Sequence, residues 1–158
     1  SDDAPHYAHS NIGYNYRITN ISAGIGRGQM MVLDDYVARR RAIHQLYMKG
    51  LEGIDGVTVF DNPSTDFNSN FWLTCIIVDP EEAGFCREDI RLKMEDENIE
   101  TRPLWKPLHL QPVFEGVPFY GDGTSEALFD KGLCLPSGSS LSDDDVLRVI
   151  EVVKGLAE

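Results

Sequence analysis

At 158 residues the chain fits one domain, or one domain with an arm. Its composition, 42% hydrophobic and 25% charged, is that of a globular chain and not of a disordered one. A net charge of -12 argues against nucleic acid, whose binding rests on phosphate neutralisation, and against an anionic membrane surface.

No apolar run approaches the roughly 20 residues that span a bilayer, and no signal peptide is legible. Cys75, Cys86 and Cys134 are odd in number and widely spaced, so they read as reduced, cytosolic thiols. His6, His9, His44 and His109 are scattered, which disfavours a structural zinc site. The sequence opens on Ser1 and "SDDAPHYAHS" without a hydrophobic entry into a core, as a processed terminus or a piece of a longer chain does.

Residues 1–16 are polar and aromatic without a period. From Ile18 apolar residues recur at helical spacing through Ile21, Ile25, Leu33, Val37, Leu46 and Tyr47, which predicts one long helix, or two broken near the glycines, over about 19–51. Gly24, Gly26 and Gly28 lie inside this pattern, and each interior Gly costs about 1 kcal/mol relative to Ala. A dinucleotide loop requires G-x-G-x-x-G straight after a strand; here the spacing is G-x-G-x-G with no strand before it. Close helix packing is the better reading, and a phosphate loop the weaker. Arg39, Arg40 and Arg41 read as a solvated face paired with Asp34 and Asp35.

"GVTVF" predicts a strand over 57–60, and "FWLTCIIVDP" a buried strand stopped by Pro80. "FCREDIRLKMEDENI" predicts an amphipathic helix with acidic residues in its first turn. "IETRPLWKPL" predicts a short strand running into a proline-rich loop, and "ALFDKGLCLPSG" a short helix or turn with a short strand. "SLSDDDVLRVIEVVKGLAE" predicts a closing helix with a Ser142–Asp145 capping box and an apolar face of Val146, Val149, Ile150, Val153 and Leu156. The pattern, a long helix then β-β-α-β-loop-β-α, predicts an α+β domain: a mostly antiparallel sheet with helices on one face. Residues 1–50 form an arm and connecting helix in this reading, and 51–158 the small domain.

Two stretches carry candidate binding chemistry. "GYNYR" (Gly13, Tyr14, Asn15, Tyr16, Arg17) approaches a helix N-terminus, where backbone N–H groups favour anions. An amide and a guanidinium are good phosphate ligands, although the same residues also suit a cap and turn. "TRPLWKPLHLQPVF" gathers Arg102, Trp105, Lys106, His109 and Gln111 in a proline-stiffened loop, which suits a ligand loop and equally a surface loop with a packed Trp. No Ser–His–Asp or Cys–His order is legible.

"GYNYRITNISAGIGRGQM", "LDDYVARRRAIHQLY", "ETRPLWKPLHLQPVF" and "CLPSGSSLSDDDVLRVIEVV" together resemble, in order and over nearly the whole chain, the C-terminal part of the DegT/DnrJ/EryC1/StrS family. These are pyridoxal 5'-phosphate-dependent nucleotide-sugar aminotransferases of fold type I, the aspartate aminotransferase-like fold. The likeness is to members acting on UDP-linked 4-keto sugars in pilin and cell-surface glycan pathways.

The resemblance implies a dimer with its active sites at the subunit interface, a nucleotide-sugar substrate and glutamate as amino donor. It assigns Asn15 to the cofactor phosphate of the neighbouring subunit. Arg17 and His109 would line the sugar-nucleotide pocket, with Tyr14, Trp105, Lys106 and Gln111 as weaker substrate-binding candidates. The family's Schiff-base lysine is not matched: Lys49, Lys93, Lys106, Lys131 and Lys154 all lie outside its motif, so no catalytic residue is assigned and the chain alone is expected to be inactive, with no cofactor bound. A non-aminating relative, either a sugar dehydratase or an inactive paralogue, and a free dimerisation domain stay as alternatives.

Overall fold

The computed structural model describes residues 14–157; the expectations for His6, His9, Gly13 and the rest of the opening segment lie outside them. The chain divides into two compact units, residues 1–33 and 34–158.

In the first unit, α1 (Asn20–Met31) starts from Thr19, whose side chain accepts from the Ser22 N–H at 3.1 Å. The helical pattern breaks at Val32, not at the glycines, which sit inside α1. Among the described residues a Cβ placed on Gly24, Gly26 or Gly28 would meet nothing within 4 Å, and no residue of α1 is buried.

The second unit is built on α2 (Leu33–Gly50), β1 (Val57–Val59), β2 (Thr74–Val78), α3 (Pro80–Ala83), α4 (Arg87–Asp96), β3 (Arg102–Pro103), α5 (Thr124–Lys131), β4 (Gly132–Leu135) and α6 (Asp143–Ala157). The four strands form one sheet in the order β1-β2-β4-β3, every pair antiparallel. Alternation along β2 sends Thr74, Ile76 and Val78 to one face, where they are buried. Leu133, Leu135 and Val57 join them, and α2 (Ile43, Tyr47), α4 (Ile90, Met94) and α6 (Val146, Val149, Ile150, Val153) close the core from that side. The opposite face carries Cys75, Ile77 and Cys134. α5 packs over its Gly132 end, where a Cβ on Gly132 would fall 2.5 Å from the Leu128 carbonyl, so the helices do not all lie on one face as the pattern predicts: α5 follows directly into β4 and folds back over it.

Local chemistry explains two elements that periodicity misses or only half sees. Pro80 does not merely stop β2. It occupies the first turn of α3, and Asp79 caps that turn by accepting from the Glu81 N–H at 3.2 Å. At α6, Ser142 and Asp145 close the capping box as expected: the Asp145 N–H donates to Ser142 Oγ (3.2 Å) and the Ser142 N–H to Asp145 Oδ2 (2.8 Å).

The three arginines of α2 are not a solvated face. Arg39 donates to Asp143 Oδ1 (2.7 Å) and to the Leu141 carbonyl (2.5 Å). Arg40 donates to the Trp72 and Ser137 carbonyls, and Arg41 to the Ser69 carbonyl and Asn68 Oδ1. They tie α2 to two loops, β1–β2 and β4–α6, whose carbonyls find no partner in the sheet. The expected pairing with Asp34 and Asp35 is not made; the three guanidiniums instead satisfy carbonyls that tertiary folding brings to α2.

Candidate functional site

Of the sequence-derived candidates, Tyr14, Asn15 and Arg17 fall in the first unit. Tyr14 and Tyr16 stack with ring centroids 5.8 Å apart. Asn15 Oδ1 accepts from the Arg17 N–H at 3.1 Å, an Asx-type turn that commits the amide oxygen. That leaves the Asn15 NH2 and the exposed Arg17 guanidinium as the donors of this turn. Two hydrogen-bond donors and no carboxylate form a donor set that fits a phosphate.

The remaining candidates lie on the loop after β3, in the second unit. The loop is shaped by two 3₁₀ turns, Leu108–Leu110 and Pro112–Phe114. His109 is fixed within it: Nε2 lies 2.6 Å from Glu126 Oε1 on α5, and the ring stacks on Phe119 at 3.5 Å with an interplanar angle of 15°. Glu126 also accepts from the Ser125 hydroxyl at 2.9 Å, and its carboxyl is held below the usual range by its own backbone N–H, by Ser125 and by His109. Gln111 reaches back toward the Lys106 carbonyl at 3.5 Å, at the limit of a hydrogen bond, and Lys106 itself is exposed.

Trp105, 67% exposed, meets Trp72 with ring centroids 6.2 Å apart. Both line a cleft of about 690 Å³ together with Arg102, Leu104, Phe129 and Cys134. His109 and Gln111 are not on its walls. The structure therefore divides the loop's candidates into a cleft side (Trp105, with Arg102) and a side locked to α5 (His109).

Two residues of this arrangement escape a sequence reading. Trp72 precedes β2 in "FNSNFWL" and looks like part of the strand. Its position on the cleft is set by Arg40, which takes its carbonyl, and by its own N–H donating to Asn70 Oδ1 at 3.0 Å. Glu126 is one of 26 acidic residues, and nothing in its spacing marks it as the partner of His109.

An antiparallel sheet with helices, and a proline-rich aromatic loop after its edge strand, is consistent with the α+β small domain of fold type I aminotransferases. The solved structure of DesV from S. venezuelae, in complex with a ketimine intermediate, matches 96% of this chain and 40% of its own, with 27% identity and a TM-score of 0.80. The model of the DegT/DnrJ/EryC1/StrS aminotransferase family matches residues 1–154, and the chain belongs to that family. Among curated relatives, EpsN of Bacillus subtilis (strain 168), provisionally named a pyridoxal phosphate-dependent aminotransferase, is 45% identical over 156 residues, which is 96% of this chain and 39% of EpsN. GDP-perosamine synthase of Escherichia coli O157:H7 is 35% identical over 147 residues, covering 93% of this chain and 38% of the relative. The chain thus spans well under half the length of the curated relatives it matches.

Proposed function

We propose that this chain is the C-terminal part of a pyridoxal 5'-phosphate-dependent aminotransferase that transfers an amino group from glutamate to a nucleotide-linked 4-keto sugar, for a cell-surface glycan or for pilin glycosylation. The observation that carries the reading is the family match over residues 1–154, nearly the whole chain. The nucleotide-linked substrate is supported by the GDP-sugar named in one of the relatives. The complete protein works as a cytoplasmic homodimer in this proposal, with each site built from both subunits.

When bound, the cofactor supplies the electron sink for carbanion chemistry; the protein supplies binding and orientation. Within this chain Asn15 holds the cofactor phosphate through its NH2, because its oxygen is already committed to the Arg17 N–H. Arg17 and Tyr14 are substrate-binding residues in this proposal, and so, on the second unit, are His109, Trp105, Lys106 and Gln111. Glu126 keeps the His109 ring in one orientation, so the loop reaches the substrate already shaped. Trp105 and Trp72 offer flat apolar surface suited to stacking on a base, beside Arg102, which is paired with Glu100 at 2.5 Å.

The test uses the complete protein. Asn15→Ala removes one hydrogen bond to a charged phosphate, worth about 1.5–3 kcal/mol, so the cofactor dissociation constant should rise roughly 10- to 150-fold. Cofactor titration followed by fluorescence reads this directly. Incubation of the wild type with glutamate and a nucleotide 4-keto sugar should yield an amino sugar by mass spectrometry. Unchanged cofactor affinity in the variant sinks the assignment of Asn15, and the absence of amino sugar sinks the activity.

A further inference from the structure

β2 and β4 are the two central strands of the sheet, and their register sets Cys75 directly opposite Cys134. The Cys75 carbonyl accepts from the Phe60 N–H at 2.9 Å, so the main chain of Cys75 is turned toward β1. In an antiparallel ladder the same residue is then non-hydrogen-bonded toward its other neighbour, β4, and such pairs bring their Cα atoms to about 4.5 Å with side chains at their closest. That separation falls inside the window of about 4.4–6.8 Å that a disulfide requires. The two Sγ atoms lie 3.8 Å apart, and both thiols are free.

The pair sits on the sheet face opposite α2, α4 and α6. Cys75 is half-buried and lines a 310 Å³ cleft with Phe60 and Phe71; Cys134, 6% exposed, lines the larger cleft of Trp72 and Trp105. Cys86 is elsewhere, at the start of α4. The thiol–thiol contact pulls the Cys134 thiol below its ordinary value and pushes Cys75 above it, as expected of two sulfurs sharing one proton.

We propose that Cys75 and Cys134 form a reversible dithiol–disulfide pair, an oxidation site on the sheet face opposite α2, α4 and α6. With an azodicarboxamide oxidant such as diamide the step balances. One of the two thiols adds across the N=N bond, its sulfur bonding one nitrogen and its proton going to the other. The other cysteine's sulfur then attacks that first Sγ, breaking the S–N bond and forming S–S, and its proton goes to the released hydrazine. Two thiols are oxidised by two electrons and one azo group is reduced. Because the bridge joins strands already in register, it closes the 75–134 loop without moving the sheet, and its stabilisation comes from the unfolded chain.

The experiment oxidises the folded 158-residue chain with diamide, then denatures and alkylates it so that every remaining thiol is counted, and maps the peptides by mass spectrometry. The expected result is a Cys75–Cys134 linked peptide lighter by two hydrogens, with Cys86 alkylated, and full recovery of both thiols after dithiothreitol. The melting temperature of the oxidised chain should rise by roughly 5–15 °C. Cys75→Ser and Cys134→Ser should each lose the link and the temperature shift together. Three alkylated cysteines after oxidation, a link through Cys86, or a melting temperature that falls on oxidation overturns the proposal. If either serine variant fails to fold, the peptide map of the wild-type chain still decides it.

Discussion

His44 shows how far one side chain can depart from what its type suggests. It lies on α2 with 0% exposure, its ring stacked on Phe71 at 3.7 Å and 7°, Nδ1 3.3 Å from Thr74 Oγ1. Nε2 is 3.4 Å from Asp61 Oδ1 but lacks hydrogen-bond alignment. Phe71 takes a left-handed φ of 47° to reach the ring, a conformation held by the Ser69 hydroxyl beneath its N–H and by Arg40 and Arg41 on the flanking carbonyls. Burial pulls the His44 pKa below its ordinary value, and Asp61 opposes this only in part. The consequence for stability follows from linkage. Unfolded, the imidazole takes its proton near pH 6.5; folded, it does so only at lower pH, so acid favours the unfolded state. Stability should be full above about pH 6.5 and fall as the pH drops toward the folded pKa. Melting curves between pH 7 and pH 5 should show that decline, and His44→Gln should be less stable but flatter across the same window. Equal slopes in the two proteins would exclude His44 as the source.

Elements were legible where a local rule sufficed. The capping box of α6, the acidic first turn of α4 and the β-branched run of β2 each announce themselves in a few adjacent residues. What adjacency cannot carry is register. The order β1-β2-β4-β3 depends on β3, an edge strand only two residues long, and the Cys75–Cys134 pair exists only because β2 meets β4 in one particular alignment. The arginines of α2 were misread for the same reason: their partners lie from about 30 to over 100 positions away. The turn into β1 is where an element depends most on a single position. Gly56 has φ +70°, its carbonyl accepts from the Asp79 N–H at 2.7 Å, and a Cβ there would lie 2.7 Å from the Asp79 carbonyl and also clash with the Ala83 backbone. Gly56→Ala should therefore cost at least about 1–3 kcal/mol from backbone strain, with the clash adding to it. Loss of the α6 cap in Ser142→Ala should cost only about 1 kcal/mol. Urea denaturation should rank the two midpoints in that order, with Gly56→Ala lower; the reverse order would mean that the turn relaxes around the new methyl.

At the scale of the whole molecule, the second unit has its own core, while α1 presents Ile21, Ile25, Met30 and Met31 to solvent, each at least 62% exposed. The family was legible because its motifs run in order along the chain, and the candidate site was legible only in pieces: Asn15 and Arg17 in one unit, the His109 loop in the other. The lysines bear directly on the cofactor. A lysine that reacts selectively with an aldehyde needs a lowered pKa, which comes from burial or a neighbouring cation. None of Lys49, Lys93, Lys106, Lys131 and Lys154 is buried. Lys131 is held by Asp79 at 2.6 Å, which pushes its pKa up, and Lys154 faces Glu151 at 3.3 Å. The Asp79 contact keeps the Lys131 ammonium protonated and unreactive. The chain incubated with pyridoxal phosphate and then borohydride should thus carry sparse label spread over exposed lysines, whereas the complete protein should carry one stoichiometric label outside these 158 residues. Peptide mapping separates the two patterns. A single fully labelled lysine among the five would give this chain a cofactor-anchoring residue of its own and overturn its assignment as the part that supplies phosphate and substrate contacts.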